Sequence, residues 1–163
     1  MEHWHVIHGF EKYSVSDHGR IRNDLTDRIL SLSENQYGVV VVGLMREGKQ
    51  KHRSVPLLVA KSFIEKRFPA YDTPINLDGD RWNNHIDNLD WRPRWFAIQY
   101  NRQFRVPFEY PIFQSIRDTD TGEITPTSFE TARRYGLLER DVVLSITNNT
   151  IVWPTHQKFH IVD

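Results

Sequence analysis

Four arginines, Arg92, Arg94, Arg102 and Arg105, follow one another with no acid between them and alternate with Trp91, Trp95, Phe96, Tyr100 and Phe104. Guanidinium groups bind phosphate through charge-assisted hydrogen bonds, so this window is where a phosphate backbone would sit. The same spacing also suits an apolar core whose surface is covered by arginine stems with their heads in water. His3, His5 and His8 have the donor type for a metal, yet no cysteine or carboxylate completes a set at ligand spacing, and a half-exposed strand is the better reading of that run. Cysteine is absent, which excludes a disulfide framework, cysteine-ligated zinc, an iron–sulfur cluster and a thiol nucleophile.

The elements that must position these groups are short. In 163 residues, 21 Lys and Arg balance 21 Asp and Glu, giving a net charge of +0. The distribution is uneven: residues 51–108 hold 10 basic and 6 acidic side chains, whereas 1–50 hold 6 and 7, and 109–163 hold 5 and 8. The apolar run Val39 to Met45 is far below the roughly 20 residues of a membrane helix, and Met1-Glu2-His3 does not open a signal peptide, so a soluble, cytoplasmic protein is expected. Over the first fifty residues, β-type runs at Trp4–Ile7, Tyr13–Val15, Arg20–Arg22 and Val39–Leu44 alternate with turn residues, a small antiparallel unit. Val55 to Pro69 carries a dense apolar stretch that predicts a buried helix of about ten residues. Asp78-Gly79 signals a turn, Asn83-Asn84 a helix start, and Trp91–Phe104 a second helix opening near Pro93. Beyond the linker Pro107–Pro111, Ile112–Arg117 and Ile124-Thr125 predict strands about the turn Asp120–Glu123. A helix N-capped by Ser128 and stopped by Gly136 follows, then a second helix Glu139–Ile146 and a last strand near Lys158–Val162.

Three stretches resemble the HNH homing endonuclease family of phages. Trp4 to Asn23 (WHVIHGFEKYSVSDHGRIRN) resembles its nuclease-associated modular domain, Val55 to Trp91 the HNH nuclease, and Asp120 to Val162 its helix-turn-helix tail repeat. The resemblance implies an α+β chain of three modules. These are an antiparallel β domain over 1–50, a ββα-metal (His-Me finger) domain over 51–106, and a hairpin plus helix-turn-helix module over 107–163. In that family a histidine removes a proton from water, and a divalent metal held by Asp, Asn or His side chains stabilises the charge developing on the scissile phosphate.

The positions that carry this chemistry depart from the pattern. The family's Asn-His or Asp-His before Leu77-Asp78-Gly79 is here Ile75-Asn76. Ile75 has no lone pair for a hard cation, and Asn76 has no basic nitrogen near neutral pH. A usual His-Arg on the first helix is Pro56-Leu57, and the second ligand position falls on Ala97. His85 and His52 are the histidines a register shift would bring into play; His85 lies in a variable segment, and His52 reads as a solvated strand residue. Asp78, Gly79, Asn83, Asn84, Asn88, Leu89 and Trp91 match the family and imply a retained scaffold pinned by side-chain to backbone hydrogen bonds.

The expected protein is therefore a pseudo-nuclease retained for binding, with no cofactor and no metal. Mg or Mn enters only if the alternative, an active metal-dependent nuclease with an atypical centre, holds. The partner is double-stranded DNA or a phage or host protein, such as a virion component or an inhibited enzyme, met in the cytoplasm of an infected bacterial cell or in the virion. Candidate DNA contacts are Arg92, Arg94, Arg102 and Arg105, with Arg20 and Arg22 in the first module. Arg133 and Arg134 in the tail sit in a nearly neutral field.

Overall fold

A computed structural model describes all of residues 1–163. The chain is α+β and divides into two compact units, one of residues 1–76 and 80–94, the other of 77–79 and 95–163. This partition differs from the three sequence modules because Val55, Val59 and Leu89 share one apolar cluster with Ile7, Val15 and Ile21. Residues on both sides of position 50 thus close around a single core.

In the first unit, β1 (Trp4–Ile7), β2 (Phe10–Ser16), β3 (Ile21–Asn23) and β4 (Arg28–Ile29) form an antiparallel sheet in sequence order. Tyr13, Val15 and Ile21 turn inward. The strands β5 (Ser33–Glu34), β6 (Val40–Arg46) and β7 (Lys49–Ser54) form a second sheet, in which β6 and β7 are paired from Val41↔Ser54 to Arg46↔Lys49. Helix α1 (Val55–Phe63) follows at once. Ser54 caps it by accepting Leu57 N–H, Pro56 sits in its first turn where no amide donor is required, and Val55, Val59 and Ala60 are buried. Each of the two valines contributes about 1.5–3 kcal/mol on burial. A hairpin of β8 (Thr73–Asn76) and β9 (Leu89–Arg92) completes the unit, and its strands are joined by the long loop 77–88.

Two expectations change here. Asn83-Asn84 does not start an α-helix: the loop makes one 3-10 turn, Ile86–Asn88, capped by the His85 ring accepting Asp87 N–H. Nor is Trp91–Phe104 one helix. Trp91 and Arg92 belong to β9, and α2 spans Arg94–Gln103. Pro93 separates them because a proline forces its predecessor into extended backbone.

In the second unit α2 is followed by an irregular stretch and then β10 (Ile116–Asp118), β11 (Ile124–Thr125), α3 (Ser128–Tyr135), α4 (Glu139–Asn148) and β12 (Phe159–Ile161). The sheet order is β11-β10-β12, and Ile116, Ala132, Leu137, Val142 and Phe159 fill its core. The expected strand Ile112–Arg117 is confined to β10. The cap of α3 is Thr127, which accepts Glu130 N–H at 3.1 Å, not Ser128; the Ser128 hydroxyl is turned inward to Glu139 at 2.6 Å. Gly136, at φ 65°, ends α3 in the left-handed conformation, and Asn149 at φ 55° ends α4. No helix is long and apolar enough to cross a membrane.

Candidate functional site

Ile75 and Asn76 end β8, paired with Asp90 and Leu89. Ile75 is fully buried, and Asn76 is 2% exposed. The Asn76 amide donates from Nδ2 to Asn83 O at 2.9 Å and to Asn84 Oδ1 at 3.0 Å. Asn83 O also accepts Asn88 Nδ2 at 2.8 Å, and Asn84 Nδ2 donates to Arg81 O at 3.1 Å. Three carboxamides thus stitch the loop 77–88 to the end of β8. An imidazole at position 76 could not supply both hydrogens from one nitrogen, so the Asn76 carboxamide is itself part of the lattice. Gly19, at φ 81°, packs on this lattice, where a Cβ would stand 2.9 Å from Asn84 Cβ, and Ile86 N–H donates to Asp17 O.

The remaining departures sit in apolar surroundings. Pro56 is buried and Leu57 half-buried on α1, and Ala97 is buried on α2 in the second unit. Of the retained residues, Gly79 adopts φ 78° where a Cβ would lie 2.4 Å from the Phe104 ring. Trp91 is core, its Nε1–H donated to Ile64 O. His85 acts as the cap described above and stacks on His18 at 4.7 Å; His52 is exposed on β7.

Metal-ligand spacing occurs elsewhere, at Glu2, Asp17 and His18, whose donor atoms lie within 4.8 Å of one another. Here the Arg20 guanidinium already grips Glu2 through both Nε and Nη2 and holds its carboxyl down at about 2. Burial pushes Asp17 up, but hydrogen bonds from the His3 ring and His3 N–H outweigh it and lower its pKa. The cluster is a closed ion-pair network.

The arginine candidates separate sharply. Arg92 is 3% exposed and donates to Asp90 Oδ2 at 2.6 Å and Trp91 O at 2.8 Å, so it is a buried structural cation and does not present itself to phosphate. Its strand position, one residue before Pro93, points it inward. Arg20 is held by Glu2, and Arg22 bonds Asp24 at 2.9 Å and covers the Trp4 ring at 4.4 Å. Arg133 faces Glu130 at 3.6 Å and Arg134 faces Glu123 at 2.7 Å. Arg94, Arg102 and Arg105 are exposed. Trp95 is 54% exposed and stacks on Trp153, while Phe96 and Tyr100 are core.

The β6–β7 ribbon carries basic residues that the charge sums concealed. Arg46 lies opposite Lys49, and Lys51 and Arg53 follow at alternate positions on the same face, all four exposed, with His52 on the other face. Glu47 is the acid within 4 Å, at 3.8 Å from Arg46. The alternation Lys49-Gln50-Lys51-His52-Arg53 was the available signal.

Against known proteins, residues 2–45 match the NUMOD4 motif. Two mimivirus proteins of Acanthamoeba polyphaga mimivirus, the uncharacterized HNH endonucleases L247 and L245, are 37% and 33% identical over 87 and 89 residues. These alignments take in 52% and 54% of this chain and 22% and 26% of the relatives. The chain therefore matches about a quarter of those relatives' length. The solved HNH homing endonuclease I-HmuI shares the fold, with a TM-score of 0.56, 23% identity and 98% of each chain covered. In fold the chain is similar to that HNH homing endonuclease. Within that likeness, the hairpin keeps its scaffold while Ile75 and Asn76 stand where the sequence pattern puts a ligand and a base.

Proposed function

We propose that this HNH homing endonuclease-like chain binds double-stranded DNA and does not hydrolyse it at the β8–β9 hairpin. The observation that carries the binding half is the β6–β7 ribbon, with four exposed basic side chains of which Arg46 alone has acids nearby, Glu47 and Glu11. A two-stranded ribbon fits the major groove of B-DNA, and alternate lysines and arginines on it meet phosphates. The exposed Arg94, Arg102 and Arg105 add further phosphate contacts, and α3 and α4 serve as the helix-turn-helix tail, its arginines already neutralised by acids. The non-hydrolytic half rests on Asn76, buried and committed to two acceptors, beside the apolar Ile75. Loss of a general base alone lowers such rates about a hundred- to ten-thousand-fold.

Duplex binding measured by fluorescence anisotropy across a salt series checks the first half. Four ribbon and three further arginine phosphate contacts give a slope of log K against log salt of about −6.3. No binding at low salt removes this half and turns attention to a protein partner. Incubation of supercoiled DNA with Mg2+ or Mn2+ checks the second; the plasmid is expected to stay supercoiled, and nicking by wild type would establish an atypical but working centre.

A further inference from the structure

A cavity of about 360 Å3 opens in the first unit between β1, the end of β7 and α1. Its floor is apolar, built from Val6, Ile7, Phe10, Leu57 and Leu58. Its polar side chains are Arg53, Lys61, His5, His8, Ser54 and Ser62, and no aspartate or glutamate lines it. Each basic group is placed differently. Arg53 lies over the Phe10 ring at 5.0 Å and uses Nη1 for His52 O, so its Nε and Nη2 hydrogens remain to be donated. Lys61 is exposed on the last turn of α1 and has no ion pair. His5 is fixed by stacking on Phe63 at 4.3 Å and by Nδ1 donating to Ser62 O at 3.0 Å. Because a carbonyl only accepts, the proton sits on Nδ1 and Nε2 is the open nitrogen. Ser54 Oγ accepts Leu57 N–H and retains its own hydrogen as a donor.

We propose that this cavity is a nucleotide subsite: Arg53 and Lys61 bind the phosphate of a phosphate ester, and the apolar floor takes its planar base. The volume lies at the lower end of small-ligand pockets, the range that a single nucleotide fills. Cations without acids favour a phosphate over a neutral ligand, and the aliphatic floor favours a phosphate carrying a flat apolar group over a bare anion. The nucleotide comes either free in solution or as one unit of a DNA strand; only the second source rests on the DNA-binding reading.

Amide NMR titration of the full chain with dAMP, inorganic phosphate, deoxyadenosine and single-stranded oligo-dA separates the cases. Shifts confined to the amides of Ile7, His8, Arg53 and Ser54, with dAMP binding at least about tenfold tighter than phosphate or deoxyadenosine, are expected, and Arg53→Ala and Lys61→Ala should each weaken it about tenfold. Lys61 is exposed, so its variant reads the site even if Arg53→Ala perturbs the sheet. Shifts with oligo-dA but not dAMP support the subsite and place its ligand in a strand. Shifts with dAMP in a chain that fails to bind duplex DNA remove the DNA reading and leave the subsite standing. Phosphate binding as tightly as dAMP, no pocket shift with either nucleotide form, or undiminished affinity in Lys61→Ala overturns the proposal.

Discussion

The β8–β9 hairpin and the β6–β7 ribbon lie in the same unit, and each is a pair of antiparallel strands, yet they use polar side chains in opposite ways. In the hairpin loop the asparagines face one another and the backbone, so that Asn83 O alone receives two amide donors. In the ribbon, Lys49 and Lys51 face solvent with no partner at all. Hydrogen bonds made inside the fold stabilise it and leave nothing for a ligand. Side chains left in water add little to stability and are available to a phosphate. The hairpin's polar groups are spent on its own loop, and the ribbon's are turned to solvent.

This contrast is open to attack from both sides, and the hairpin promises the largest effect. Gly79→Ala must place a side chain at φ 78° and against the Phe104 ring, 2.4 Å from the new Cβ. Left-handed backbone costs about 1–2 kcal/mol and the overpacking about as much again, so chemical denaturation should show a loss of about 3 kcal/mol. Asn76→Ala comes next. It removes one of the two amide donors to Asn83 O and the Asn76 donor to Asn84 Oδ1, and should cost about 2 kcal/mol, with the salt dependence of DNA binding unchanged. Asn76→His restores the family's base without a ligand at Ile75 and should give no Mg2+- or Mn2+-dependent nicking of supercoiled plasmid. Nicking by that variant would mean that the hairpin is one substitution from activity, not closed architecture.

At the ribbon the expected signature inverts. Lys49→Ala with Lys51→Ala should leave the denaturation midpoint within about 0.5 kcal/mol of wild type while flattening the slope of log K against log salt by about 1.8. A stability loss like that of Asn76→Ala, or an unchanged slope, would erase the distinction between the two regions.

How much of this was legible in the sequence follows from the range of each interaction. The stops at Gly136 and Asn149 and the turn at Gly79 were readable because a left-handed residue is a local requirement. The Thr127 cap was readable in principle, since Thr127 and Glu130 have capping-box spacing, but the neighbouring Ser128 has equal intrinsic preference and only burial against Glu139 decides between them. Arg92 was misplaced because a helix and a strand put the residue before a proline on different faces, and the alternation with aromatics did not distinguish them. The ribbon is not legible because its charges are shared between two strands and a basic run on an exposed strand has no apolar alternation to announce it. The asparagine lattice could only be named by type: the bonds from Asn76 reach seven and eight residues along the chain, and nothing local fixes such partners.

The smallest effect tests whether the closed ion-pair network beside the hairpin behaves as architecture too. Glu2 is held at about 2, chiefly by its hydrogen bonds to Arg20, against an ordinary value of 4.5. A carboxyl whose pKa is lowered by folding adds stability that is complete above its unfolded value and disappears as pH falls through the folded one. Glu2→Gln should therefore melt slightly below wild type at pH 7, and the gap should narrow from about pH 4.5 and close near pH 2. Arg20 is half exposed, so solvent screening limits the gap to no more than about 1 kcal/mol. Thermal melts of the two proteins across that pH range provide the measurement. A gap that widens on acidification would show that folding raises the Glu2 pKa and favours the protonated carboxyl over the anion. A constant gap would show that the glutamate acts through packing and not through its charge.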